Sequence, residues 1–213
     1  MLKNRLFLTG LILATMAAAP ALAADTTPST DNPTADVVQR DVNQQQRIEQ
    51  GLKSGQLSTG EAARLEKGEG RIEKMESKAL KDGTVTTQEK ARIEGAENAE
   101  SKAITDAKHN AVTGDPASAS SQRMQNDVQR NVNQQKRIEQ GAQSGSLTTQ
   151  EAGKLEKGQA KVSRKEFRAG KDGNVNAREQ ARIQRTENKQ SHKIHRKKHN
   201  DTTVTPATTT PAE

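Results

Sequence analysis

The sequence predicts an all-α protein: two tandem three-helix units with disordered tails and a linker, packed as an antiparallel helical bundle or in a loose, coiled-coil-like way. Three observations predict it. The stretch VQRDVNQQQRIEQG beginning at Val38 returns as VQRNVNQQKRIEQG beginning at Val128, and the offset of 90 holds without a gap to the KHN triplets at Lys108–Asn110 and Lys198–Asn200. A repeat of this length, with about half its positions identical, marks duplication of one structural unit. Ser, Thr or Asn followed three residues later by Glu recurs ahead of segments with helical apolar spacing. Aromatic residues are 1% of the chain, charged residues 29% and the mean hydropathy is −0.99, so no large ring-filled core is available.

From the N-terminus, residues 1–23 read as a secretory signal peptide. Lys3 and Arg5 open it, Leu6 to Ala19 form an apolar run, and Ala21-Leu22-Ala23 is a cleavage motif. The run is short for a membrane span, and no later stretch is apolar enough for one. The expected location is periplasmic or secreted, with no transmembrane segment after cleavage. Residues 24–34, the segment AVTGDPASASS at 111–121 and the Thr/Pro-rich stretch 201–213 lack apolar periodicity and read as disordered tails and linker.

Repeat unit one, residues 35–110, reads as three helices. The first runs from about Ala35 to Gly51 with Val38, Val42, Ile48 and Leu52 near one stripe. A capping box, Ser58 with Glu61, opens the second, which carries Ala62, Leu65, Ile72, Met75 and Ala79 and stops at Lys81-Asp82-Gly83. A second box, Thr86 with Glu89, opens the third through Ile93 and Ile104. Unit two, residues 122–200, repeats the plan with Thr148/Glu151 and Asn176/Glu179. About a dozen large aliphatics serve each unit, a thin supply for ordering some seventy-five residues. Gly68 and Gly70 weaken the second helix by about 1 kcal/mol each relative to Ala. The expectation is two units on a string, loosely packed or completed by self-association.

The inter-helix segments SGQLSTGE, DGTVTTQE, SGSLTTQE and DGNVNARE share Gly, an aliphatic two residues on, and Glu six residues after the Gly. This pattern is similar to the second half of an EF-hand loop, which makes Asp82, Glu89, Asp172 and Glu179 candidate cation ligands. The first half of that motif is missing: Gln50, Lys78, Gln140 and Arg168 stand at the first-ligand position. Helix stops and capping boxes explain every feature of these segments, and the first halves of all four lack carboxylates, so calcium binding by the protein tighter than about millimolar is not expected.

The chain also resembles a group of small exported proteobacterial helical proteins without an established activity. The matching residues are Asn43-Gln44, Arg47-Ile48, Gly51, Ser54-Gly55, Leu57, Glu61, Asp82-Gly83, Val85, Glu89 and Lys108-His109-Asn110. That resemblance implies export and helical character. The group usually carries one copy of the unit, and this chain carries two.

His192, His195 and His199 fall on one side of the last helix at a spacing that can hold a transition metal. Unit one has Lys102, Thr105 and His109 there, and Arg196, Lys197 and Lys198 crowd the triplet, which favours a basic helix end. Charge divides unevenly: 13 Lys/Arg against 14 Asp/Glu from Asp36 to Lys108, but 19 against 9 from Arg123 to Asp201. The basic excess of unit two is densest at Arg182, Arg185, Lys189, Lys193, Arg196, Lys197 and Lys198. It predicts binding of polyanions such as anionic lipid head groups or acidic polysaccharide. Sequence-reading nucleic-acid modules are disfavoured, because no rings are present for base stacking. The chain has no cysteine, nucleophile motif, phosphate-binding Gly-rich loop or carboxylate pair distinguishable from capping Glu residues. Most carboxylates have Lys or Arg nearby on the same helix, as on a solvated face. An enzyme is therefore not expected, nor a cofactor. The expected role is non-enzymatic binding of anionic envelope surfaces through unit two, with low-affinity divalent metal binding or self-association as alternatives.

Overall fold

Ser58, Thr86, Thr148 and Asn176 each accept a backbone N–H while the Glu three residues on bonds back to the cap, so all four predicted capping boxes form. The computed structural model describes residues 32–200, and they make six α-helices with no strand. Repeat one supplies α1 (Pro33–Ser54), α2 (Thr59–Ala79) and α3 (Thr87–Lys108). Repeat two supplies α4 (Ala119–Gln143), α5 (Thr149–Gly170) and α6 (Ala177–Lys198). The expected signal peptide at 1–23, most of the segment at 24–34 and the stretch 201–213 lie outside the described residues. Among the described residues, no helix is long and apolar enough to cross a membrane.

The expectation of units on a string meets a different packing. The largest interfaces of the molecule run between repeats, α2 against α5 and α1 against α4. Both pairs are antiparallel. Along the first, Gly60 lies beside Gly173, Gly70 beside Ala160 and Ser163, and Gly153 beside Leu80. Along the second, Asn32 Nδ2 donates to the Ala142 carbonyl at 2.8 Å and Gln135 Nε2 reaches Asp41 at 3.1 Å. α3 and α6 lie against the first two helices of their own repeats.

Small residues make the α2–α5 approach possible. A Cβ on Gly153 would sit 2.8 Å from Leu80 Cβ and 3.3 Å from its carbonyl carbon. Gly68, read from sequence as a weak point, instead leaves room for the Glu100 side chain, and its counterpart Gly158 leaves room for Gln190.

The apolar core has two main parts, beside a small third cluster of Val37, Ala79 and Ile93. One joins Ile48, Leu57, Ala62, Leu65 and Ile104 of repeat one to Val128 of repeat two. The other joins Ile138, Leu147, Ala152, Leu155 and Ile194 of repeat two to Val38 of repeat one. Each part takes in a valine from the other repeat's first helix, and the first also takes in Val162 of α5 and Ile183 of α6. The expected linker is also partly ordered: Ser118 caps α4, which starts at Ala119, and Gly114 N donates to Gly55 O at 2.8 Å.

The motif residues of the repeat fasten α3 and α6 in place. Gln44 donates to the Glu97 carbonyl at 3.2 Å and Gln134 to the Glu187 carbonyl at 3.3 Å. Arg47 reaches Ser101 Oγ at 2.6 Å and Arg137 reaches Ser191 Oγ at 2.8 Å. Asn110 and Asn200 close each repeat by donating to the capping carboxylates of Glu61 and Glu151, both at 2.6 Å.

Candidate metal centre in a buried carboxylate core

The middle of the bundle, between the two main apolar parts, is acidic. Asp41, Glu66, Glu69, Glu73, Glu76, Glu97, Asp127, Glu156, Glu166 and Glu187 are each at most 1% exposed. This overturns the sequence reading of the carboxylates as a solvated face. An ionised carboxylate taken out of water costs several kcal/mol unless a cation or strong donors replace its hydration. Two of the ten have that compensation from arginine: Arg40 Nε lies 2.9 Å from Glu97 and Arg130 Nε 3.2 Å from Glu187.

Asp41, Glu76 and Glu156 do not. They come from α1, α2 and α5, and one oxygen of each lies within 4.8 Å of the others, the one such grouping of metal-binding side chains among the described residues. α4 adds Gln135, whose Nε2 donates to Asp41 Oδ2 at 3.1 Å and Glu156 Oε2 at 3.0 Å. Asp41 Oδ1, Glu156 Oε1, both oxygens of Glu76 and Gln135 Oε1 have no donor or other hydrogen-bond partner.

Burial, and then the charge of Glu156, holds Asp41 well above the usual carboxylate range. Glu76 is raised by burial and by Asp41 and Glu156, and burial pushes Glu156 up to about 8. The three groups therefore resist carrying their charges together without a cation.

The pseudo-twofold relation supplies a second constellation with a different outcome. Ninety residues from Asp41, Glu76, Gln135 and Glu156 stand Asn131, Glu166, Gln45 and Glu66. Asn131 Nδ2 donates to Glu166 Oε2 at 2.7 Å and Gln45 Nε2 to Glu66 Oε2 at 3.1 Å. An amide replaces one carboxylate here and satisfies a neighbour. Between the two constellations, Glu73 accepts from Ser163 Oγ at 2.9 Å, while neither oxygen of Glu69 has a partner.

The donor set is all oxygen. Three carboxylates offer up to six oxygens and the Gln135 amide a seventh, within the six to eight that calcium takes. The absence of imidazole and thiolate disfavours zinc and copper, and suits calcium, magnesium or manganese(II). Gln135 would present Oε1 by rotating its amide about the terminal torsion.

The sequence-predicted metal residues lie elsewhere. Glu89 and Glu179 spend a carboxylate oxygen on the caps at Thr86 and Asn176. Asp82 and Asp172 accept the backbone N–H two residues on, closing their turns. His192, His195 and His199 are exposed; the last two stack, with ring centroids 4.3 Å apart, and His199 Nδ1 pairs with the His195 carbonyl.

Of the predicted polyanion-binding residues on α6, Arg182, Arg185, Lys189, Lys193 and Arg196 are exposed. Lys197 is tied to Glu151 at 3.2 Å, and Lys198 leans on Gly141 near Glu139.

A signal for the buried acids was present in the sequence. Glu66, Glu69, Glu73 and Glu76 are spaced three, four, three, the period of a buried helical stripe, beside Leu65, Ile72 and Ala79. The interleaved Lys67, Lys74 and Lys78 made the segment look like solvated ion pairs.

No protein-family model, no curated protein and no solved structure matches the chain.

Proposed function

We propose that this protein is a non-enzymatic, exported cation-binding protein that takes one hard, oxygen-preferring divalent cation at Asp41, Glu76, Glu156 and Gln135. The observation that carries the reading is a fully buried, three-carboxylate grouping in which four of the six oxygens lack a donor and none of the three side chains forms a salt bridge. In the cation-free chain protons take the cation's place, so binding releases protons and is tighter at higher pH. The site is enclosed, so entry requires the bundle to breathe and exchange is slow, which suits storage or sensing better than rapid buffering.

The test is calorimetric titration of the cation-free chain with calcium, magnesium and manganese(II), each in two buffers of different ionisation enthalpy. The expected result is one site for calcium or manganese(II) at micromolar affinity or better, with buffer-dependent heat. Glu76→Gln abolishes it, while the loop variant Glu89→Gln/Glu179→Gln leaves it unchanged. Stoichiometric binding that survives Glu76→Gln, or no binding of any of the three ions below millimolar, would overturn the reading.

A further inference from the structure

Directly outside the acidic core, the surface of the α2–α5 pair carries the opposite charge. A groove of about 410 Å³ runs along this seam, and its lining includes Lys67, Arg71, Lys74, Lys157, Lys161 and Arg164. No acidic residue lines it. The six cations are three repeat-related pairs: 67 with 157, 71 with 161 and 74 with 164. The pseudo-twofold axis therefore crosses the groove near Gly70 and Ala160, both of which lie in its floor. Repeat one, nearly neutral overall, contributes as many of these six charges as the basic repeat two.

All six side chains are exposed, and none makes a salt bridge or donates a side-chain hydrogen bond to another described residue. Six like charges over about two helical turns repel one another, and a helix face without function would intersperse acids among them. The acids of α2 and α5 are instead turned inward. Phe167, the one ring among the described residues apart from the histidines, lies at the groove with Lys67 Nζ 4.9 Å from its centroid. Arg168 lines both this groove and the adjoining hollow between α5 and α6, where Arg182 continues the basic track.

We infer that the α2–α5 groove binds a soluble linear polyanion, a chain bearing phosphate, sulfate or carboxylate groups at short intervals. Shape selects a chain over a membrane. The six cations line a concave seam between two helices, whose contour follows a single strand more closely than a flat bilayer. The pseudo-twofold arrangement presents the same charge pattern to a strand entering from either end. Binding is electrostatic, so affinity falls as log salt rises, with a slope set by the number of charges neutralised. This site differs from the expectation of binding through repeat two alone, because half of its central cations belong to repeat one. It also stands independently of cation binding in the core.

The experiment measures binding of the full chain to size-defined polyphosphate, to heparin fragments and to phosphatidylglycerol vesicles across a salt series. Two charge-removal variants are compared, Arg71→Gln/Lys161→Gln/Arg164→Gln in the groove and Arg185→Gln/Lys189→Gln/Lys193→Gln on α6. The groove variant is expected to weaken binding of both soluble chains by about tenfold at low salt and to flatten the salt dependence. The α6 variant is expected to stay within about twofold of the parent. Helicity and melting temperature are followed in parallel, and Lys67→Gln/Lys157→Gln replaces the groove triple if that variant does not fold. Equal or larger loss in the α6 variant, no loss in the groove variant, or tighter binding to vesicles than to either chain would overturn the inference.

Discussion

The two repeats share one scaffold, yet they differ at the position that matters most to the buried site. Asp41 in α1 faces Glu76 and Glu156 with no amide of its own to give them, whereas Asn131 in α4 donates to Glu166 at 2.7 Å. One atom's difference, oxygen against nitrogen, turns a constellation that lacks counter-charge into one that partly satisfies itself. The same backbone thus carries a candidate cation site at one end of the acidic core and a hydrogen-bonded polar cluster at the other.

The sharpest way to break this comparison is to exchange the two residues. Asp41→Asn is expected to remove the cation site, and Asn131→Asp alone to raise the stoichiometry from one to two, read by calorimetry. Stoichiometry unchanged in both variants would show that the difference between Asp41 and Asn131 does not control binding. A second expected effect is thermal. A cation present at a hundredfold over its dissociation constant adds about 2.7 kcal/mol to stability. In a domain of this size that raises the melting temperature by roughly 5–10 °C in the parent and by nothing in Asp41→Asn.

Helices, caps and the duplication were legible in the sequence because each rests on local chemistry: Ser58 with Glu61, Thr86 with Glu89, Gly55 in a left-handed turn at φ 77°. The acidic core was not, because Glu66 through Glu76 alternate with lysines in a pattern that also describes a solvated face. Only the partner helix distinguishes the two, and that partner belongs to the other repeat. The same holds for the glycines of α2 and α5. Alone in a helix they cost stability, and their benefit appears only when a second backbone passes 3.3–3.9 Å from where a Cβ would stand.

A third prediction concerns pH and another repeat difference, Asp127 where repeat one has Val37. Burial, followed by the charge of Glu187, pushes Asp127 up to about 8. Burial pushes Glu187 and Glu100 up to about 7. These groups hold protons in the folded chain that the unfolded chain has released. Their contribution is therefore fully present below about pH 4, the unfolded carboxylate range, and is lost as pH rises through 7 to 8. The cation-free protein is expected to melt at a lower temperature at pH 8 than at pH 5. Asp127→Val should flatten that slope, and a melting temperature that rises with pH would contradict the assignment.

The smallest expected effects test the inter-repeat seam. Gly153→Ala should destabilise by about 2 kcal/mol, because the Leu80 backbone cannot retreat from the added methyl. Gly95→Ala, with nothing within 4 Å of its Cβ, should stabilise by up to about 1 kcal/mol through helix propensity. Denaturant midpoints compare the two, and equal shifts of the same sign would mean that α2 and α5 are not in close contact.

The exchange of Val38 and Val128 between the two main parts of the core has an evolutionary reading. A lone repeat would lack the valine that closes its own core, so a one-repeat ancestor would complete itself as a symmetric homodimer. Such a dimer is bound by its symmetry to carry the same residue at both acidic constellations. Covalent fusion releases that constraint: the halves can drift apart while the shared architecture stays intact. It also removes the concentration dependence of assembly, since the partner is always tethered. Asp41 and Asn131 could then specialise in opposite directions within one chain.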